Sequence, residues 1–181
     1  KDNPLFPTPH LNEERLTNAQ YRAAELYLFI DRCPALADQG LVDNLLTQIG
    51  VPDDYFARRQ MIYCLEAITK HKPELANPRM IGVFQTAITH RNMGLRDASL
   101  DFLKDFAPER PDLITAELTT TVIDVLTNPE SSSSHGEALR CLQSVIDNCP
   151  HAVLGVPDKY LGGKASSPHF NGEAQPLFEK I

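Results

Sequence analysis

A proline recurs along this chain at nearly constant intervals: Pro34, Pro73, Pro111 and Pro150 stand 39, 38 and 39 residues apart. A leucine precedes each of them by eight positions, at Leu26, Leu65, Leu103 and Leu142. A period near 40 residues in a chain of helical pattern constrains the fold tightly, because it calls for helix pairs stacked side by side. One pair cannot bury its own apolar side, so equivalent residues of successive pairs must share a core.

The flanking columns agree. Eleven positions before the prolines stand Ala23, Ile62, Leu100 and Leu139, and five before them Phe29, Ile68, Phe106 and Val145. With the leucines these make a stripe of i, i+3, i+6 spacing along one side of a helix. Two positions after the prolines come Leu36, Leu75, Leu113 and Ala152. The first three units continue with Leu41, Met80 and Leu118, then Leu45, Phe84 and Val122, then Ile49, Ile88 and Leu126. That second stripe has i, i+4, i+8 spacing and is again helical. Proline lacks an N–H and keeps the preceding residue out of helical geometry, so it separates the two helices of a unit.

The pattern predicts long helices over 12–32, 54–71, 94–107 and 134–148, and shorter ones over 39–49, 78–89 and 112–126. Start signals fit: Asn12 precedes Glu13 and Glu14, Asp53 and Asp54 follow Pro52, and Asn77 precedes Pro78. Pro150 is followed by Gly155, Pro157, Gly162, Gly163 and Pro168, so no second helix is predicted for the last unit. The expected organisation is an extended segment over 1–11, which holds Pro4, Pro7 and Pro9, a repeat domain over 12–154 and an irregular tail over 155–181. The first segment reads either as a linker from a preceding domain or as an arm laid across the first helices with Leu5 and Phe6 as anchors, and Phe170, Leu177 and Phe178 are candidate docking points of the tail. Lys1 in place of a methionine suggests an excised or processed piece.

The units resemble HEAT repeats, within the wider HEAT/armadillo class of helical solenoids. A two-helix period just under 40 separates them from the three-helix armadillo unit. So does an acidic turn followed by arginine, Val51-Pro52-Asp53-Asp54-Tyr55-Phe56-Ala57-Arg58-Arg59. Asp53 precedes Arg59 by six, which is similar to that family's aspartate-to-arginine ladder between neighbouring units. Arg96 stands fifteen before its proline, as Arg58 does. The resemblance covers about residues 12–149. It departs at the first unit, with Thr17 and Gln20 in place of the arginines, and at the fourth, with His135 and Gly136. It implies an all-α, right-handed superhelix of about four helix pairs, whose long helices line a concave, partner-holding face.

Composition narrows the function. The 17 basic and 24 acidic residues leave a net charge of -7, against a strongly nucleic-acid-binding surface. No apolar run approaches the length of a membrane span, and no signal-peptide pattern is present. The cysteines fall in repeat columns: Cys33 and Cys149 directly before a proline, Cys64 and Cys141 nine before one. Equivalent positions two or more units apart are too distant for a disulfide, since each helix layer is about 10 Å thick. No C-x-x-C spacing and no N-x-S/T sequon occur, so four free thiols in a reducing compartment, cytosol or nucleus, are expected.

The histidines (His10, His71, His90, His135, His151 and His169) are scattered without metal-ligand spacing. Asp53-Asp54 is a helix cap rather than a catalytic dyad. Cys141 and His135, six apart, do not face each other, and no phosphate loop or hydrolase motif is present. No enzymatic activity, cofactor or metal is expected. The expected role is a protein-interaction scaffold, part of a larger protein or assembly, that holds a peptide, helix or subunit. Its candidate partner residues are Tyr55, Arg58, Arg59, Tyr63, Arg96 and Arg140, with Lys70 and Lys104 further along. The arginines have a second reading, favoured here, as partners of acidic turns, and the tyrosines one as partly buried packing. The alternative function is contact with nucleic-acid backbone inside a chromatin or RNA complex. Ser131 to Ser134 reads as a flexible turn and, with Ser167 before Pro168, as a phosphorylation candidate or an unmodified loop.

Overall fold

The computed structural model describes residues 18–50 and 54–157. Among them all regular structure is helical. The α-helices are α1 (Asn18–Arg32), α2 (Gln39–Ile49), α3 (Tyr55–His71), α4 (Pro78–Ile88), α5 (Met93–Phe106), α6 (Ala116–Thr127), α7 (His135–Asn148) and α8 (Pro150–Leu154). Short 3-10 turns cover Pro34–Leu36, Pro73–Leu75, Pro111–Leu113 and Pro129–Ser134.

The recurring prolines open these joints. Pro34, Pro73 and Pro111 each begin a three-residue 3-10 turn, where a missing N–H costs nothing. Four residues after each proline a short polar side chain caps the next helix. Asp38 accepts from the Leu41 N–H at 2.8 Å, Asn77 from Met80 at 3.1 Å and Thr115 from Leu118 at 3.2 Å. Each such cap contributes about 1 kcal/mol. The third short helix therefore starts at Ala116, not at 112: Asp112 belongs to the turn. Pro150 opens α8 directly, so the last unit does possess a second helix, five residues long. Asp54 caps α3 through the N–H groups of Phe56 and Ala57.

Packing follows chain order. α1 lies on α3, α3 on α5 and α5 on α7, while α2 contacts α4, α4 contacts α6 and α6 contacts α8. The apolar columns meet in the interior: Leu65, Leu103 and Leu142 are buried, as are Ile62 with Leu100 and Ile68 with Phe106 and Val145. Phe84 of α4 and Phe102 of α5 stack with ring centroids 4.1 Å apart. Polar bonds tie successive turns together. Lys72 Nζ donates to the Ala35 and Ala37 carbonyls at 2.8 and 2.7 Å, and Arg110 Nη1 donates to Pro73 at 2.7 Å and Ala76 at 3.3 Å.

The first unit breaks the pattern. Phe29 is 51% exposed where Phe106 is 3% exposed, and Leu36 is 65% exposed although Leu75 and Leu113 pack against the core. Leu26 is half-buried. The end segments 1–11 and 158–181, with Leu5, Phe6, Ser167, Phe170, Leu177 and Phe178, lie outside the described residues.

Candidate functional site

Two of the four arginines named as candidate partner residues are interior. Arg58 is 7% exposed and Arg96 5%. Arg96, in the first turn of α5, is held by neutral acceptors: Nε donates to Ser134 Oγ at 2.7 Å, Nη2 to Ser133 Oγ at 3.4 Å and Nη1 to the His90 carbonyl at 3.3 Å. The serine run is therefore no flexible turn. It forms a 3-10 turn with Ser131 and Ser134 buried and Ser134 committed to Arg96.

Arg58 and Arg59 stand in the first turns of α3. The Arg58 guanidinium lies 5.8 Å from the Tyr55 ring centroid, and that of Arg59 lies 5.3 Å from Phe56. The Nε of each is buried with no hydrogen-bond acceptor among the described residues. Among the described residues no carboxylate pairs with either, so the expected pairing with an acidic turn is not seen there. Asp53, the aspartate of the expected ladder, lies outside the described residues. Burial lowers the Arg58 pKa. His90, whose ring packs 4.9 Å from Tyr55, has its pKa lowered by burial and then by the charges of Arg58 and Arg96. Tyr55, Arg58, His90 and Arg96 thus meet where α3 and α5 begin.

Tyr63 lies two turns further along α3, half-buried and edge-on to Tyr27 with centroids 6.3 Å apart. Arg140 is exposed on α7 and pairs with Glu137. Lys104 is engaged by Asp101 at 2.9 Å and Asp105 at 3.5 Å. Between α3 and α5 a cavity of about 230 Å³ has Phe102 and Phe106 in its wall and Glu66, Asp105 and Glu109 around it, with Lys70. Burial, then Asp105 and Asp101, holds the Glu66 carboxyl above its usual range. This surface is acidic rather than basic.

A second surface was not singled out by sequence. Tyr21, Leu28, Phe29 and Leu36 are exposed apolar side chains of α1 and the turn after it. Three residues separate helical neighbours on one face, and Tyr21 and Leu28, seven apart, lie in line along α1. The signal that could have located this face is positional: Phe29 and Leu36 occupy the core columns of the first described unit, at one end of the described stack.

The three buried thiols are poorly suited to nucleophilic chemistry. Burial pushes Cys64 and Cys141 up to about 12 and Cys149 up to about 11, which leaves them protonated. Cys33 is exposed, and all four are free. No group of three or more potential metal ligands occurs among the described residues, and no described helix is long and apolar enough to cross a membrane. No family model, curated protein or solved structure matches the chain.

Proposed function

We propose that this chain is a protein-interaction scaffold, a right-handed superhelix of HEAT-like helix pairs that receives an α-helical partner on the exposed apolar face of α1. The stacking order of the helices supports the superhelix, and so do inter-unit hydrogen bonds whose sequence separations lie near one period, such as 37 for Lys72 to Ala35 and 38 for Arg96 to Ser134. The partner surface rests on one observation: Phe29 and Leu36 are exposed in the first unit, while their column equivalents later in the chain pack in the core. A face that the repeat buries elsewhere under another helix suits a helix of similar apolar pattern. Contact with nucleic-acid backbone finds little support, because Arg58 and Arg96 are buried and the groove between α3 and α5 carries carboxylates.

The test is a pull-down with the wild-type domain and with the double variant Phe29→Glu/Leu36→Glu, each first checked by circular dichroism and light scattering. The variant should keep its helicity and lose a protein that the wild type retains, with binding that is insensitive to salt. An unchanged set of bound proteins would refute the proposed surface, and a steep salt dependence of wild-type binding would favour the nucleic-acid alternative.

A further inference from the structure

A cavity of about 350 Å³ lies on the other layer of the stack, lined by Ile49 and Gly50 at the end of α2, Arg58 at the start of α3, and Arg79, Gly82 and Val83 of α4. Its lining is largely apolar, and the two cations in it differ in standing. Arg79 faces Asp43 at 3.7 Å and donates to Thr47 Oγ1 at 2.9 Å, so its charge is balanced. Arg58 is not: it is nine-tenths buried, has an Nε with no acceptor, and pairs with no carboxylate among the described residues. A buried cation without a counter-charge is unfavourable, and an anion that reaches it gains the interaction the described residues do not supply.

The charge and the walls together select the ligand. One unbalanced guanidinium matches a single negative charge, which a carboxylate offers with two oxygens in the plane that suits parallel N–H donation. The apolar walls favour a ligand with a body that leaves water. We propose that the cavity between α2 and α4 binds a monocarboxylate with a short apolar body, its carboxylate on Arg58 and its body against Ile49, Gly82 and Val83. A free aliphatic acid and a peptide ending in an apolar residue share this chemistry. The site is separate from the α1 face and stands or falls without it.

Sodium hexanoate, titrated into the ¹⁵N-labelled protein and followed by ¹H–¹⁵N NMR, tests the assignment, with hexanamide at equal ionic strength as the uncharged control. Hexanoate should shift the amides of Gly50, Gly82 and Val83 and the Nε–H of Arg58, and hexanamide should bind about tenfold more weakly, the loss of one charge-assisted hydrogen bond. Acetyl-Ser-Ala-Leu with a free carboxyl end, compared with its amide, separates the sources: binding of the peptide acid above hexanoate assigns the site to chain ends, and the reverse assigns it to free acids. Gly82→Phe supplies a variant that leaves Arg58 in place. A Cβ added at Gly82 meets nothing within 4 Å, so the ring can occupy the groove without disturbing the core. It should abolish the hexanoate shifts while the remaining spectrum is kept, and Arg58→Gln should abolish them too.

Equal shifts with hexanoate and hexanamide would overturn the proposal, as would a hexanoate titration unaffected by Gly82→Phe. So would a rise in hexanoate affinity on Asp53→Asn, since the chain's own carboxylate would then be the partner of Arg58.

Discussion

The same substitution at two equivalent positions, Phe106→Ala and Phe29→Ala, measures whether the face of α1 is open in solution. Phe106 is 3% exposed and stacks against Phe102 with ring centroids 5.1 Å apart. Truncation there removes the transfer free energy of the ring and leaves a cavity, a loss of about 3–5 kcal/mol. Phe29 is 51% exposed. Only half of its side chain leaves water on folding and no enclosed void results, so the loss is about 1 kcal/mol. With about 2–4 °C per kcal/mol in a chain of this size, Phe106→Ala should lower Tm by on the order of 10 °C and Phe29→Ala by only a few degrees. The chain contains no Trp, so the transition is best followed by far-ultraviolet circular dichroism in heat and in urea. Equal losses at the two positions would refute the reasoning, because Phe29 would then be covered in solution. Dependence of the Phe29 loss on protein concentration would identify a second copy as the cover.

Four further outcomes are expected. Iodoacetamide should modify Cys33 in the native protein and reach Cys64, Cys141 and Cys149 only on unfolding, read by intact mass; rapid native labelling of Cys64 would contradict the buried core. Gly155→Ala would place its Cβ 2.7 Å from that of Ala116 and should destabilise by about 1–3 kcal/mol. Gly82→Ala, in open space on α4, should instead stabilise by about 0.5–1 kcal/mol in the same urea titrations. Glu66 has a folded pKa above its unfolded one, so the folded state holds the proton more tightly and stability falls as pH rises from the unfolded value through the folded one. Glu66→Gln should therefore raise Tm at neutral pH and give no gain below the unfolded carboxylate range, whereas an equal gain at both would remove the pH linkage.

The helices were legible because apolar periodicity records burial directly: Leu65, Leu103 and Leu142 share a column and share an interior. Columns do not record whether a neighbour exists, so Phe29 and Leu36 look like core in the sequence and are surface in the fold. The expected start of α6 at 112 falls four residues early because the capping column holds Asp38, Asn77 and Thr115, three different residues with one task, and 112 lies in the turn that Pro111 opens. The five residues of α8 were too few to show a period.

Arg96, read as facing a partner or, in the favoured reading, as pairing with an acidic turn, bonds neutral acceptors instead, and the reason lies in the joints. Proline-opened turns leave carbonyl groups at each joint that need donors. The column directly before the prolines supplies them: Lys72 and Arg110 reach back to the carbonyls of the preceding turn, and where Cys149 stands instead, its Sγ reaches the Ala107 carbonyl only at 3.6 Å. Arg96 does the same work with Ser134 and the His90 carbonyl. Side chains that bond to carbonyls between units are not available to a partner, and the surface that remains between α3 and α5 is acidic. For the proposed partner helix, specificity would come from shape and apolar contact along α1, and hydrophobic substitutions at Phe29 should weaken binding far less than Phe29→Glu, in competition assays against the wild-type domain.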